Sequence, residues 1–297
     1  MYRHLKVCAV LLLAVLASAQ QKSAPKTASP GTIAAAPSLP TEEVVNAFMQ
    51  QTLGYDPAIS WRIISIKPSA AEGLAEVNVT VSSAQGSQAQ KFYVTPDSTH
   101  VIIGEILPFG PHPFDAVRDQ LRKGINGPSH GSATATVTVV EFSDLQCPHC
   151  KDEQPALDRL AAEDKNARVV FQNYPLTMHD WALKAASYAD CVGRSSPDAF
   201  WKFIQSIYSA QSEITASNVD EKLTAFADAA GVKGSDIANC AVNPETTTRV
   251  QRSMDLGQAL DVNSTPTIFI NGRKLSAGGL PYEVLQKLVD FAASNGK

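Results

Sequence analysis

The sequence predicts an α/β fold in which helices cover both faces of a central sheet, preceded by a small α+β domain. Residues 136–142 (TVTVVEF) form a β-branched run typical of a buried strand, and helical periodicity follows them. A second strand is predicted at 168–172, and a helical block extends from about 181 to 260. Strand character returns at 267–270, before a final helix over 282–291. Crossover connections of this kind place helices on both faces of one sheet.

The composition excludes several classes of protein. A chain of 297 residues corresponds to about two domains. Hydrophobic residues make up 44%, so the chain can form a compact core and is not disordered as a whole. Lys and Arg number 25 against 29 Asp and Glu, which gives a formal charge of -4. This balance provides no basic surface for a phosphate backbone, so a nucleic-acid-binding protein is excluded.

The amino terminus has the three parts of a secretory signal peptide within residues 1–19. Arg3 and Lys6 lie in its positive start, residues 7–16 are its apolar run, and the sequence ASA completes it as a cleavage site. The run is shorter than the ~20 residues that span a membrane; an uncleaved anchor is the alternative. Cleavage removes Cys8 and leaves four cysteines in a compartment that permits disulfides. We therefore expect a periplasmic or secreted protein.

A flexible tether and a small α+β domain are predicted next. Residues 20–40 contain four prolines and no aromatic residue, so they bury too little apolar surface to become ordered. Thr41 provides an N-cap for a helix, and period-two alternation from Trp61 onward predicts about four strands. We expect this small domain over residues 41–112.

A linking helix is predicted over residues 113–126, where apolar residues recur at helical spacing. The Gly-, Pro- and Ser-rich stretch 124–135 marks the boundary with a second domain, expected over residues 127–297. Asn271 and Gly272 predict a hairpin turn. Within the helical block, five large apolar residues have the spacing of a core-facing stripe: Phe200, Phe203, Ile204, Ile207 and Tyr208.

Two cysteines, Cys147 and Cys150, flank two residues where the predicted strand meets the helix. Cys147 would begin the helix, where unpaired N–H groups and the helix dipole lower the pKa of a thiol. Cys150, one turn later and more buried, would be the resolving thiol. His149 can donate a hydrogen bond or bring positive charge near the Cys147 sulfur, which would make the disulfide more oxidising. Pro148 occupies an early helical position, where its missing N–H costs nothing.

Three other interpretations of this pair stay open. A zinc site would need two more ligands, and Cys191 and Cys240 are far in sequence from the pair and from each other. A covalent haem site would need histidine after Cys150, where the sequence has Lys151. A purely structural Cys-x-x-Cys is the third alternative. We expect redox chemistry, with neither a metal nor a cofactor.

The region around the pair resembles the DsbA-like branch of the thioredoxin superfamily. Residues 142–151 (FSDLQCPHCK) follow a β-branched strand, as in the active-site region of that family, and Cys-Pro-His-Cys is the motif of its disulfide oxidase. The resemblance implies a thioredoxin fold with a helical insertion, in a bacterial exported protein. It covers about residues 130–295 through further motifs in the same order: Tyr174-Pro175-Leu176 with His179, Ala189-Asp190-Cys191, Ala199-Phe200-Trp201, Thr265-Pro266-Thr267 and Phe269-Ile270-Asn271-Gly272.

The resemblance also implies roles for residues outside the pair. Thr265 and Pro266 match a loop whose cis proline faces the cysteines in that family. Glu141, six residues before Cys147, matches a buried acid that moves protons to and from the inner thiol. A strand-end carboxylate in water is the alternative for Glu141. His179 matches a frequent family position, but we assign it no catalytic task, since a packed or capping histidine fits equally well.

The remaining cysteines, Cys191 and Cys240, fall within the helical insertion. In an exported protein without other cysteine partners they are expected to form a structural disulfide, as in some DsbA-like proteins. Two buried free thiols are the alternative. In the chain-entropy model, closing a loop of about 50 residues stabilises the fold by roughly 4 kcal/mol.

The amino-terminal part departs from DsbA, which has no counterpart to residues 41–125. Around the sequence KFYVTPDSTHVIIGEIL it resembles the dimerisation module of the isomerases DsbC and DsbG. Those enzymes also have threonine before the cis proline, as Thr265 is here. These two features favour isomerase or reductase activity, whereas His149 favours oxidation.

We expect an exported thiol:disulfide oxidoreductase that acts as an oxidase, with a disulfide isomerase or reductase as the first alternative. A metal-delivery or binding module that uses the same thiols without turnover is the alternative from another class. The expected partners are reduced or misfolded client proteins and a membrane or periplasmic redox partner of the DsbB or DsbD type. Self-association through residues 41–125 is a further hypothesis. That segment contains no cysteine, and its two histidines are His100, in a predicted turn, and His112, next to the linking helix, so we expect no chemistry there.

Overall fold

The computed structural model describes residues 39–275 and 279–295. The predicted signal peptide, and the predicted tether up to residue 38, lie outside the described residues. The described chain forms two compact units, one ending at Leu107 and the other beginning at Pro108. Within these described ranges, no helix is long and apolar enough to cross a membrane.

The first unit is one helix packed on a four-stranded antiparallel sheet, which confirms the predicted element types. Thr41 caps the helix, since its hydroxyl accepts the Val44 N–H. The core lies between the helix and one sheet face and includes Val45, Met49 and Val77. The elements, with strands paired in chain order, are α1 (Glu42–Leu53), β1 (Ser60–Pro68), β2 (Ala75–Ser83), β3 (Gly86–Val94) and β4 (Val101–Ile103).

The second unit contains a five-stranded sheet in the order β5-β7-β6-β8-β9. Only the pair β6 and β7 is parallel. Strand β5 was not predicted, because it is three residues long and lies in the Gly-rich stretch that lacks any periodicity. The strands are β5 (Ser129–Gly131), β6 (Val137–Ser143), β7 (Ala167–Asn173), β8 (Thr267–Ile270) and β9 (Arg273–Leu275).

Helices cover both faces of this sheet, as the sequence predicted. They are α2 (Asp115–Gly124), α3 (Pro148–Glu163), α4 (Ala182–Ser195), α5 (Pro197–Ser209), α6 (Val219–Ala230), α7 (Gly234–Ala241), α8 (Pro244–Ala259) and α9 (Tyr282–Asn295). Alternate residues of β6 face opposite layers: Val139 packs with α3 and α9, whereas Phe142 packs with α2 and residues of α8. Burial on both faces explains the unbroken β-branched run of this strand.

Two predicted helices illustrate what local pattern does and does not determine. All five residues of the predicted stripe in α5 are buried, so that stripe is confirmed. Helix α2 was predicted to link two domains, and it forms at the predicted place. Its Leu121, however, lies in the core of the second unit beside Val140 and Phe142, so α2 is part of that unit.

Candidate active site

The two cysteines lie where β6 leads into α3, the junction at which the sequence placed them. Cys147 is the N-cap residue of α3, and Pro148 occupies the first helical position. Cys147 is 4% exposed and Cys150 is 0% exposed, so the predicted order of burial is confirmed. Both side chains are free thiols.

Hydrogen bonds make Cys147 an anion at neutral pH. They lower the pKa of the Cys147 thiol to about 5, and the largest cause is the hydrogen bond from the Cys150 thiol. Backbone N–H groups of Cys150 and His149 add to this, while burial acts in the opposite direction. The site therefore presents a thiolate, the form that carries out disulfide exchange.

The backbone N–H of His149 is one of the groups that stabilise the Cys147 thiolate. The His149 side chain is exposed, and among the described residues we find no hydrogen bond made by the ring. The predicted side-chain hydrogen bond to Cys147 is therefore not present in this structure.

Cys150 keeps its proton. Burial is the main reason that the pKa of its thiol is raised. The backbone N–H of Asp144 donates to the Cys150 sulfur at 3.4 Å, but this contact does not offset the burial. Because Cys150 keeps its proton, its S–H can donate a hydrogen bond to the Cys147 thiolate.

The loop before β8 faces the first cysteine. The Thr265–Pro266 peptide bond is cis. The Cys147 sulfur lies 3.4 Å from the carbonyl oxygen of Thr265, a residue 118 positions later in the chain. The structure thus brings Cys147, Thr265 and Pro266 together, as the family resemblance implied.

Glu141 is buried in the middle of the sheet, on β6 between Phe171 of β7 and Ile268 of β8. It is 1% exposed, so the alternative of a strand-end carboxylate in water is wrong. Burial raises the pKa of Glu141 to about 8. The negative charge of an ionised Glu141 also raises the pKa of the Cys150 thiol.

Asp144 and Gln146, which the sequence interpretation passed over, anchor the loop that carries Cys147. One Asp144 carboxylate oxygen accepts the Gln146 N–H at 2.8 Å, and the other accepts the Leu176 N–H at 2.8 Å. His179 Nδ1 lies 2.7 Å from the latter oxygen, so His179 is a packed, anchoring histidine. The Gln146 side chain accepts the backbone N–H of Trp181 at 2.8 Å. A carboxylate that accepts the N–H two residues later forms an Asx turn, a local pattern that could have predicted the role of Asp144 from the sequence.

Gln211 was missed as well, and no local signal could have found it. It lies in a short 3-10 turn, Gln211–Glu213, just after α5. Its amide donates to the carbonyl of Leu145 at 2.9 Å and to that of Cys147 at 3.1 Å. The helical insertion therefore holds the backbone of Cys147 directly.

The other two cysteines form the predicted bridge. Cys191 of α4 and Cys240 of α7 are joined by a disulfide, with their Cα atoms 6.0 Å apart. The alternative of two free thiols is therefore wrong. Within the described ranges, no three His, Cys, Asp or Glu side chains converge as they would to hold a metal ion.

Comparisons with known proteins identify what this chain is similar to. A family model described as Thioredoxin matches residues 123–291. The chain is similar to the Na(+)/H(+) antiporter NhaA 1 of Salinispora arenicola, at 29% identity over 163 residues, 54% of this chain and 23% of that protein. It is also similar to disulfide bond formation protein D of Bacillus subtilis, at 29% identity over 177 residues, 54% of this chain and 73% of that protein.

Among solved structures, the chain is similar to a thioredoxin-like oxidoreductase from Silicibacter pomeroyi. The identity is 26% and the TM-score 0.52, covering 60% of this chain and 98% of that one. The chain spans about a quarter of the length of the antiporter and most of the length of the other two proteins.

We predict that the reduced protein titrates as a thiolate with a midpoint near pH 5, followed by absorbance at 240 nm. Cys150→Ala removes the principal hydrogen-bond donor and should move this midpoint upward. Cys147→Ser is the control and should abolish the transition. A midpoint at the ordinary thiol pKa of ~8.5 in the unaltered protein would contradict the site geometry.

We predict that Glu141→Gln stabilises the reduced protein, the state of this structure, at pH 8 and has little effect at pH 4. The pKa of Glu141 is about 8 in the fold and ~4.3 in an unfolded chain, so ionisation opposes folding progressively as the pH rises between these values. Urea unfolding should show a gain of a few kcal/mol at pH 8. Glu221→Gln, on the exposed face of α6, is the matched control and should change stability by less than ~0.5 kcal/mol. An equal effect of Glu141→Gln at both pH values would refute this interpretation.

Proposed function

Because this chain belongs to the thioredoxin family, we propose that it is an exported thiol:disulfide oxidoreductase that oxidises client proteins through Cys147 and Cys150. The observation that carries this proposal is the stabilised Cys147 thiolate. Hydrogen bonds that exist only to a thiolate favour the reduced form of the protein, and a protein whose reduced form is stabilised is a strong oxidant. The likeness to a disulfide bond formation protein supports the same direction.

In the proposed reaction, a client thiolate attacks the Cys147 sulfur of the oxidised protein. The Cys147–Cys150 bond breaks, a client–Cys147 mixed disulfide forms, and Cys150 leaves as a thiolate. Glu141, protonated at neutral pH, can give its proton to that inner sulfur. A second client thiolate then attacks the client sulfur, which releases Cys147 as the stabilised thiolate and leaves an oxidised client.

The remaining site residues are assigned supporting roles. The position of Thr265 beside the Cys147 sulfur supports a role for the cis-proline loop in holding the client near the reacting bond. Pro148 fixes the start of α3, and the backbone of His149 supplies a hydrogen bond to the thiolate. Cys191 and Cys240 brace the helical insertion.

A disulfide isomerase or reductase is the second candidate. The separate first unit, with its own helix and sheet, favours it, because such a unit can pair two catalytic domains or hold a client.

Residues 1–19 support export, and a membrane or periplasmic redox partner of the DsbB or DsbD type would return the cysteine pair to its starting redox state. Homodimer formation through the first unit belongs to this second candidate.

We predict that the mature protein oxidises reduced ribonuclease faster than it reduces insulin or rescues scrambled ribonuclease. Cys147→Ser should abolish all exchange, and Cys150→Ala should accumulate mixed disulfides with clients because no thiol resolves them. Faster rescue of scrambled ribonuclease than oxidation would favour the isomerase. Activity in none of the three assays would leave the non-catalytic binding module as the better account, and normal turnover by Cys150→Ala would refute the two-thiol mechanism.

Light scattering on the full mature chain and on residues 108–297 tests self-association. The truncation begins at Pro108 because Leu121 of α2 belongs to the core of the second unit. A dimer that becomes monomeric on truncation, while exchange with small thiols is retained, would support the second candidate. A monomer in both forms would remove the dimer proposal.

A further inference from the structure

An arginine lies directly against the second disulfide. Arg194, near the end of α4, places Nη2 3.1 Å from the Cys240 sulfur and 3.5 Å from the Cys191 sulfur. The same group donates to the Thr246 hydroxyl at 2.7 Å. A guanidinium is positively charged at every relevant pH. The bridge therefore has a permanent cation within hydrogen-bond distance of both sulfurs.

The guanidinium is held in this place by its other contacts. Arg194 Nε donates to the buried Asp190 carboxylate at 2.9 Å, and Nη1 lies 3.5 Å from the exposed Glu245. Asp190 is shared with Arg249, whose Nε lies 2.9 Å from it. Because Asp190 is divided between two arginines, it does not neutralise Arg194 alone. The cation is preorganised and need not move when the charge on the sulfurs changes.

This contact discriminates between the two redox states of the bridge. A disulfide sulfur is a weak hydrogen-bond acceptor, whereas a thiolate bonded to a cationic N–H makes a strong, charge-assisted hydrogen bond. Arg194 therefore stabilises the reduced state more than the oxidised state. A thiolate that is stabilised in this way is also a better leaving group in exchange.

We propose that Cys191–Cys240 is a second redox-active site, one that exchanges with small thiols of the glutathione or cysteine class. This proposal does not depend on the function assigned to Cys147 and Cys150. It assigns chemistry to a bridge that the sequence marked only as structural.

The accessible sulfur determines the order of the steps. Cys240 is partly exposed and Cys191 is buried, so a small-molecule thiolate attacks Cys240. The Cys191–Cys240 bond breaks, a mixed disulfide forms on Cys240, and Cys191 leaves as a thiolate beside Arg194. A second thiolate attacks the small-molecule sulfur of the mixed disulfide. The products are the oxidised small molecule and the Cys240 thiolate, so two electrons have entered the protein.

The first test needs no variant. The full mature chain is equilibrated with glutathione mixtures of increasing reducing strength, and free thiols are alkylated, after which mass mapping scores the two cysteine pairs separately. We expect the Cys191–Cys240 bridge to open within the glutathione range. If it stays closed in the most reducing mixture, the proposal is wrong. Because Cys147 and Cys150 are scored on different peptides, a failure of the proposed oxidase activity is a separate result.

The second test separates Arg194 from the surrounding charges. Arg194→Gln should shift the reduction equilibrium at least about tenfold toward the disulfide, about 30 mV for this two-electron couple, and slow reduction similarly. Arg252→Gln is the matched control, since it removes an exposed arginine of α8 and leaves Arg194, Asp190 and the sulfur contacts in place. It should stay within about twofold of the unaltered protein.

Arg194→Lys retains the charge and loses the planar guanidinium. Its reduction equilibrium should lie between those of the unaltered protein and Arg194→Gln, and it replaces Arg194→Gln in the test if that variant does not fold. Equal reduction of the unaltered protein and both Arg194 variants would overturn the role of Arg194. An effect of Arg252→Gln as large as that of Arg194→Gln would do the same.

Discussion

The active site depends on one requirement, that a buried sulfur anion be surrounded by hydrogen-bond donors. Burial alone would keep Cys147 neutral, and it does keep Cys150 neutral. The difference between two thiols one helical turn apart is that Cys147 lies at the start of α3, where backbone N–H groups have no helical acceptor. The protonated Cys150 then becomes the strongest of the donors. One geometric arrangement thus fixes the ionisation of both groups.

This requirement explains the polar side chains around the loop. A thiolate is stabilised only if the donors stay at hydrogen-bond distance, so the loop backbone must be rigid. The Asp144 carboxylate holds the loop by its contacts with the Leu176 N–H and the His179 ring. The Gln211 amide holds it by donating to the carbonyls of Leu145 and Cys147. Each of these side chains is bonded to a part of the chain distant in sequence, which ties the sheet, α3 and the helical insertion to the same atoms.

Sequence reasoning succeeded where a single local pattern carries the information. The β-branched run of β6, the stripe of α5 and the Cys-Pro-His-Cys motif are each contained within a few turns or strand residues. Sequence reasoning missed β5, because a strand of three residues has no periodic pattern. It also did not assign α2 to the second unit, because an amphipathic helix face does not identify the residues that pack against it. Gln211 was out of reach since its contacts, 64 and 66 residues away, exist only after folding. Glu141 was found through family resemblance, while its burial became visible only in the sheet.

The bond from Gln211 to the Cys147 carbonyl has a consequence for protein engineering. The four-residue motif between strand and helix is portable as a sequence, but its scaffolding is not, because part of that scaffolding belongs to a turn after α5. A graft of Cys-Pro-His-Cys onto a host that lacks the helical insertion would transfer the Cys147 thiol without the hydrogen bond that holds its backbone. Hosts for such grafts are therefore better chosen by the presence of an amide-bearing turn opposite the loop than by similarity of the motif itself.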